Sequence, residues 1–74
     1  MIHELERVIL NTDISQYSLK QGDIGTVVLV HQGEKGYEVE FITLDGETVA
    51  VVSLDHKQIR PISNKEIAHA RLIK

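Results

Sequence analysis

The chain has no cysteine and no tryptophan, a single proline, and only three aromatic residues in 74 positions. Without thiols there can be no disulfide staple, no thiolate nucleophile and no cysteine-based zinc site, and the redox compartment is left unconstrained. The aromatics are Tyr17, Tyr37 and Phe41. With Phe41 assigned to the core, they form no stacking platform for single-stranded nucleic acid. Apolar runs are short, and none approaches the roughly 20 residues that cross a bilayer. The opening stretch, Met1-Ile-His-Glu-Leu-Glu-Arg7, is acidic and has no apolar segment of the kind a secretion signal carries. A cytoplasmic protein with no membrane segment is expected. Bases are the scarcer charge: 8 Lys and Arg stand against 11 Asp and Glu, for a net charge of −3. They are scattered along the chain and do not cluster. Phosphate neutralisation supplies most nucleic-acid affinity, so this balance disfavours nucleic acid and anionic membrane. It suits a protein partner with a basic surface.

What is present is a β pattern. A hydrophobic content of 42% is ordinary for a globular chain, and this length allows one domain over residues 1–74 with one small core. Leu19-Lys-Gln-Gly22-Asp-Ile-Gly25-Thr-Val-Val-Leu-Val30 runs from a turn signal straight into a β-branched strand. Its two glycines are expected to bend the chain sharply. Strands are predicted over Glu6–Asn11, about Gly25–His31, Tyr37–Leu44, Glu47–Leu54 and Gln58–Pro61. The second, almost wholly apolar, is expected to be buried on both faces. Residues 11–21 read as a polar loop from which Ile14, Tyr17 and Leu19 fold back on the core. Gly33-Glu-Lys-Gly36 reads as a tight reversal and Asp55-His-Lys57 as one helical turn. Ser63-Asn-Lys-Glu66 matches a capping box, which predicts a C-terminal helix over about 64–74, with Arg71 and Lys74 favoured at its end by the dipole. A helix this short must dock on something.

Asp45-Gly46 is the strongest hairpin signal. A two-residue turn there sets Leu44 opposite Glu47, Ile42 opposite Val49, Phe41 opposite Ala50, Glu40 opposite Val51 and Val39 opposite Val52. One face then carries Val39, Phe41, Ala50 and Val52, a core set. The other carries Ile42, Val49 and Val51, bordered by Glu38, Glu40 and Glu47. A one-residue bulge would exchange the two faces. An apolar stripe rimmed by carboxylates calls for a cover, either the C-terminal helix through Ile67, Ala70 and Ile73 or a second protein. Glu40, Ile42, Glu47, Val49 and Val51 are therefore the candidate partner-binding residues.

Catalytic patterns are thin. His3, His31, His56 and His69 stand at no metal-ligand spacing. Glu66-x-x-His69 would share a helical face, but di-metal bundles need a second such pair on a facing helix. Ser53, Asp55 and His56 hold the residue types of a hydrolase triad, yet triads are assembled from separate elements, and neighbours on one turn rarely meet that geometry. Capping of the turn by Asp55 or Ser53 is the simpler role. Gly22-x-x-Gly25 is too short for a phosphate loop and lacks its lysine. No catalytic, metal or cofactor residue is assigned, no small-molecule substrate is inferred, and no enzymatic activity is expected.

Five short strands, a long loop after the first, tight later hairpins and a closing Gln58-Ile-Arg-Pro61 strand together resemble an SH3-like barrel over Glu6 to Pro61. The fold class expected is mainly β: a small five-stranded SH3-like barrel, strongly bent and closed, with a short C-terminal α-helix. Residues 19–28, Tyr37-Glu-Val-Glu-Phe41, Asp45-Gly-Glu-Thr48 and Ile59-Arg-Pro61 with the helix behind it also resemble, over nearly the full chain, the bacterial domain-of-unknown-function family 4926, which has no assigned activity. Gly22-Asp-Ile-Gly-Thr-Val27 is similar to KOW-type ribosomal and elongation-factor barrels. That likeness implies RNA binding, against which stands the missing basic excess. The leading expectation is a non-catalytic module that binds a protein or a second copy of itself, an antitoxin or immunity role being one concrete version. The alternatives are a KOW-like RNA- or ribosome-associated barrel and an accessory subunit of an enzyme.

Overall fold

The computed structural model describes residues 2–73, the side chain of Glu34 excepted. Five strands form one antiparallel sheet: β1 Arg7–Leu10, β2 Ile24–Val30, β3 Tyr37–Ile42, β4 Thr48–Leu54 and β5 Ile59–Pro61. Their order across the sheet is β4-β3-β2-β1-β5. Side chains alternate between faces along a strand, and one face gathers Val8, Leu10, Val27, Tyr37, Val39, Phe41, Ala50, Val52, Leu54 and Ile59 into a core joined by Ile2 and Leu19. The core set expected from the β3–β4 alternation is all there. Leu19 is buried and Ile14 packs against the core. Tyr17, expected beside them, is instead exposed on a 3-10 turn, Ser15–Tyr17.

The two glycines before β2 have different tasks. Gly22 takes φ +98°, a left-handed conformation that favours glycine, inside the turn closed by Asp23 N–H on Lys20 O at 3.0 Å. Gly25 does not bend the chain at all. It lies in β2 opposite Val8, and a Cβ there would sit 2.6 Å from Val39 Cγ1 and 2.8 Å from Phe41 Cε1. Glycine at 25 is room for its neighbours.

The hairpin differs from expectation in two places that cancel. Gly46 N–H donates to Thr43 O and Thr43 N–H to Glu47 O, both at 2.9 Å, with Gly46 at φ +90°. The loop is thus Leu44-Asp45-Gly46, three residues long, which moves the register by one and sets Ile42 opposite Thr48. A bulge at Val49 then restores it, so Phe41–Ala50, Glu40–Val51 and Val39–Val52 pair as predicted. A second bulge in β2 lies between the Val27–Val39 and Leu29–Glu38 pairs. It turns Val28 and Leu29 out to solvent, 41% and 46% exposed, so β2 is not buried on both faces.

Two larger expectations fail. The five antiparallel strands are consistent with an SH3-like barrel, but the sheet is open, with β4 and β5 as its two edges. Strand β5 is only three residues long and ends at Pro61, which has no N–H to offer a further partner. The expected C-terminal helix is absent: residues 66–73 carry no helical or strand pairing, and its last position, Lys74, lies outside the described residues. Half of the capping box forms: Ser63 N–H donates to Glu66 Oε2 at 2.9 Å, while Ser63 Oγ accepts from Lys65 N–H at 3.2 Å in place of the Glu66 N–H. No helix propagates from it. Arg60 of β5 holds Glu66, and Asp23 before β2 holds Arg71, so the chain from 66 to 71 passes from one neighbour of β1 to the other. A helix this short gains too little in water to compete with these two tertiary contacts.

The fit at Gly25 has a measurable consequence. Gly25→Ala should destabilise the protein by about 1–3 kcal/mol in urea unfolding, the usual cost of overpacking. Adding Val39→Ala should recover part of that loss, giving a double variant less destabilised than the sum of the singles. Strict additivity would mean that the overlap is relieved elsewhere.

Candidate functional site

Pairing on both sides of β3 lays out the outer face in rows. Arg7 faces Thr26, Thr26 faces Glu40, and Glu40 faces Val51. One pleat towards the hairpin, Ile42 faces Thr48; one pleat the other way, Leu29, Glu38 and Ser53 form a third row. Of the predicted partner-binding residues, the structure brings Glu40, Ile42 and Val51 onto this face. Ile42 and Val51 are 53% and 50% exposed. Val49, displaced by its bulge, turns partly inward and packs against the core. Glu47 stays in the loop, its N–H donating to Thr43 Oγ1 at 3.1 Å.

The acidic border is less free than the sequence suggests. Glu40 accepts the Thr48 hydroxyl at 2.8 Å. Glu38 accepts the Ser53 hydroxyl, and its Oε2 lies 2.7 Å from His31 Nε2. These two contacts, the serine hydroxyl first, hold the Glu38 carboxyl below its ordinary pKa. Sequence reasoning missed this cluster, whose signal was the cross-strand Glu38–Ser53 pair. Ser53 and His31 share one carboxylate oxygen, so the carboxylate, not the imidazole, is central, unlike a serine–histidine–aspartate relay. Asp55 caps its own turn through the Lys57 N–H at 2.8 Å. Among the described residues, no three His, Asp or Glu side chains gather as a metal site would.

Beyond the apolar stripe, the sheet and the C-terminal segment enclose an open groove of about 640 Å³. Thr26, Glu40, Ile42 and Val49 line it from the sheet, and Ala68, Ala70 and Ile73 from the tail. The expected cover does not form: Ala70 and Ile73 line the groove, but Ile42 and Val51 stay half exposed. Ile67, assigned to the same helical face, is 93% exposed.

Residues 4–61 match the family described as a domain of unknown function, DUF4926. The chain belongs to the DUF4926 family. No curated protein and no solved structure matches it. The DUF4926 match takes in every strand and ends at Pro61, so the tail over the groove lies outside it. Among the described residues, no helix is long and apolar enough to cross a membrane.

The tail of this DUF4926 protein is held by two forks. Arg60 Nη1 and Nη2 donate to Glu66 Oε2 and Oε1 at 2.7 and 2.8 Å. Arg71 Nε and Nη2 donate to Asp23 Oδ1 and Oδ2 at 2.8 and 2.6 Å, and Nη2 also donates to Ser18 O at 2.8 Å. Hydrogen bonds from Arg60, then from the Ser63 N–H, lower the Glu66 carboxyl to about 2. At Asp23 partial burial works to raise the pKa, but the Arg71 fork and the Lys20 N–H outweigh it, and the net shift is downward. Carboxyls depressed on folding stabilise fully above their ordinary values, 4.5 for Glu66 and 3.8 for Asp23, and lose that contribution as pH falls. The tail amides from Ala68 to Ile73 should therefore keep dispersed NMR shifts at neutral pH and collapse towards random-coil values between about pH 4.5 and 2. Glu66→Gln should loosen residues 63–67 already at neutral pH. A tail unmoved by either change would mean that the forks do not hold it.

Proposed function

We propose that this DUF4926 protein is a non-catalytic interaction module that takes a protein partner on its outer sheet face. The observation that carries the proposal is the stripe of Ile42 and Val51, each half exposed beside Glu40 on the β3–β4 pair, where a solvated sheet face would ordinarily place polar residues. Val49 and Glu47 flank it from the groove and from the loop. The engagement of Ser53, Glu38, Asp55 and Thr48 in local hydrogen bonds supports a surface for recognition over one for reaction. An acidic excess favours a partner of basic surface, and neutralisation or regulation of such a protein is the role that fits a module this small.

Ile42→Asp and Val51→Asp place charge on exposed positions and should leave the fold intact by circular dichroism. A stoichiometric partner captured from the native host by the unaltered chain should be lost with either variant, at a cost of tenfold or more in affinity. Recovery of no such partner, or equal recovery by the variants, would overturn the proposal.

A further inference from the structure

The protein's own C-terminal segment forms one wall of the groove beside this face, and the way that wall is held reveals what the Asp23 corner selects. Asp23 offers both carboxylate oxygens and Ser18 its carbonyl to one guanidinium, with Asp23 Oδ2 also fixed by the Lys20 N–H at 2.8 Å. With Arg71 seated on it, the Asp23 side chain is 17% exposed. Two parallel N–H donors at fixed spacing match arginine and not lysine. The tail lines the groove with the small residues Ala68 and Ala70, and the sheet lines it with Ile24 and Ile42.

We propose that Ser18 and Asp23 form an arginine-binding site that Arg71 fills in cis, and that a partner protein enters by presenting an arginine in a non-helical, small-residue segment that displaces the tail. The proposal rests on the interaction role proposed above and deepens it, naming what the partner must carry. Three observations separate a displaceable occupant from a structural strap. Among the described residues, the core cluster runs from Ile2 to Ile59 and includes nothing from the tail. The acceptors Ser18 and Asp23 lie within the stretch matched to the family, and Arg71 lies outside it. On the tail itself Ile67 and Leu72 remain 93% and 83% exposed, so the segment is held by charge and small contacts and releases without opening the core. The net charge of −3 favours the approach of an arginine-bearing partner.

The test uses the full chain with Arg71→Ala and, as probe, a capped synthetic peptide with the sequence of residues 67–73. The tethered arginine competes at high effective concentration in the unaltered chain, so the peptide should bind Arg71→Ala at least tenfold tighter, shifting the Ser18 and Asp23 amide resonances. Peptides with Lys or Ala in place of the arginine should bind at least tenfold more weakly, and Asp23→Asn in the Arg71→Ala background should abolish binding. Should Arg71→Ala fail to fold, millimolar peptide added to the unaltered chain should still move the same two resonances. No saturable binding in a folded variant, or equal binding of the alanine peptide, would overturn the proposal. So would a concentration-dependent dimer of the unaltered chain that Arg71→Ala abolishes, because the occupant would then be a second copy. This readout needs no host partner, so it can fail while the sheet-face proposal stands, and the reverse.

Discussion

At Gly25, where β2 pairs with β3, the inner side of the sheet leaves no room for a side chain. Val39 and Phe41 fill the volume a side chain at position 25 would need, and only a residue without Cβ lets the two strands pair there. The consequences spread because β2 is the middle strand: it joins the β3–β4 hairpin on one side to β1 and β5 on the other. With Gly25 giving way, Val27 and Val39 reach full burial beside Val8 and Leu10. A chain of this length buries only about 60% of its unfolded surface, so few other contacts stand ready to take over if that junction loosens.

The inner face was legible because alternation is a local signal. Val39, Phe41, Ala50 and Val52 announce one face of two strands, and a glycine after Asp45 announces a reversal. The length of that reversal was not legible. Gly46 takes a positive φ in the three-residue loop, and glycine would serve a two-residue turn equally well. The face assignment survived because the bulge at Val49 adds back the residue that the longer loop displaces. Nothing around Val49 marks it as a bulge; the constraint is distant, since Phe41 and Ala50 must both face the core. The same holds for Val28. Its composition reads as buried strand, and the β2 bulge alone turns it and Leu29 outward.

The C-terminal segment shows where local patterns stop. Half of the expected capping box forms, yet a cap supplies only the start of a helix, and propagation over so few residues gains too little to beat a competing tertiary contact. The competitor is Arg71 with Asp23, 48 residues apart in sequence. No spacing rule connects them. Glu66 was assigned to a helix start and in fact serves two masters, the Ser63 N–H and the Arg60 guanidinium. Of the candidate site, Glu40, Ile42 and Val51 followed from strand register, whereas the Ser18–Asp23 acceptor did not, because it exists only once the turn at Gly22 and the tail are brought together.

The charge balance carries a last consequence. An excess of acids suggests a surface that attracts by bulk negative potential, and several of the acids are also engaged at short range: Glu38 with Ser53 and His31, Glu40 with Thr48, Glu66 with Arg60, Asp23 with Arg71. A carboxylate bonded to a neighbouring hydroxyl keeps its charge and is also held in place as an acceptor. For the partner proposed above, charge then serves encounter and geometry serves selectivity: an apolar stripe at Ile42 and Val51 that a partner would dry on binding, and an acceptor at Asp23 that holds a planar cation. Long-range attraction falls steeply with added salt, whereas a partly buried, bidentate contact persists. A protein that recognises its partner through these features should thus depend on salt in its rate of encounter far more than in its rate of release.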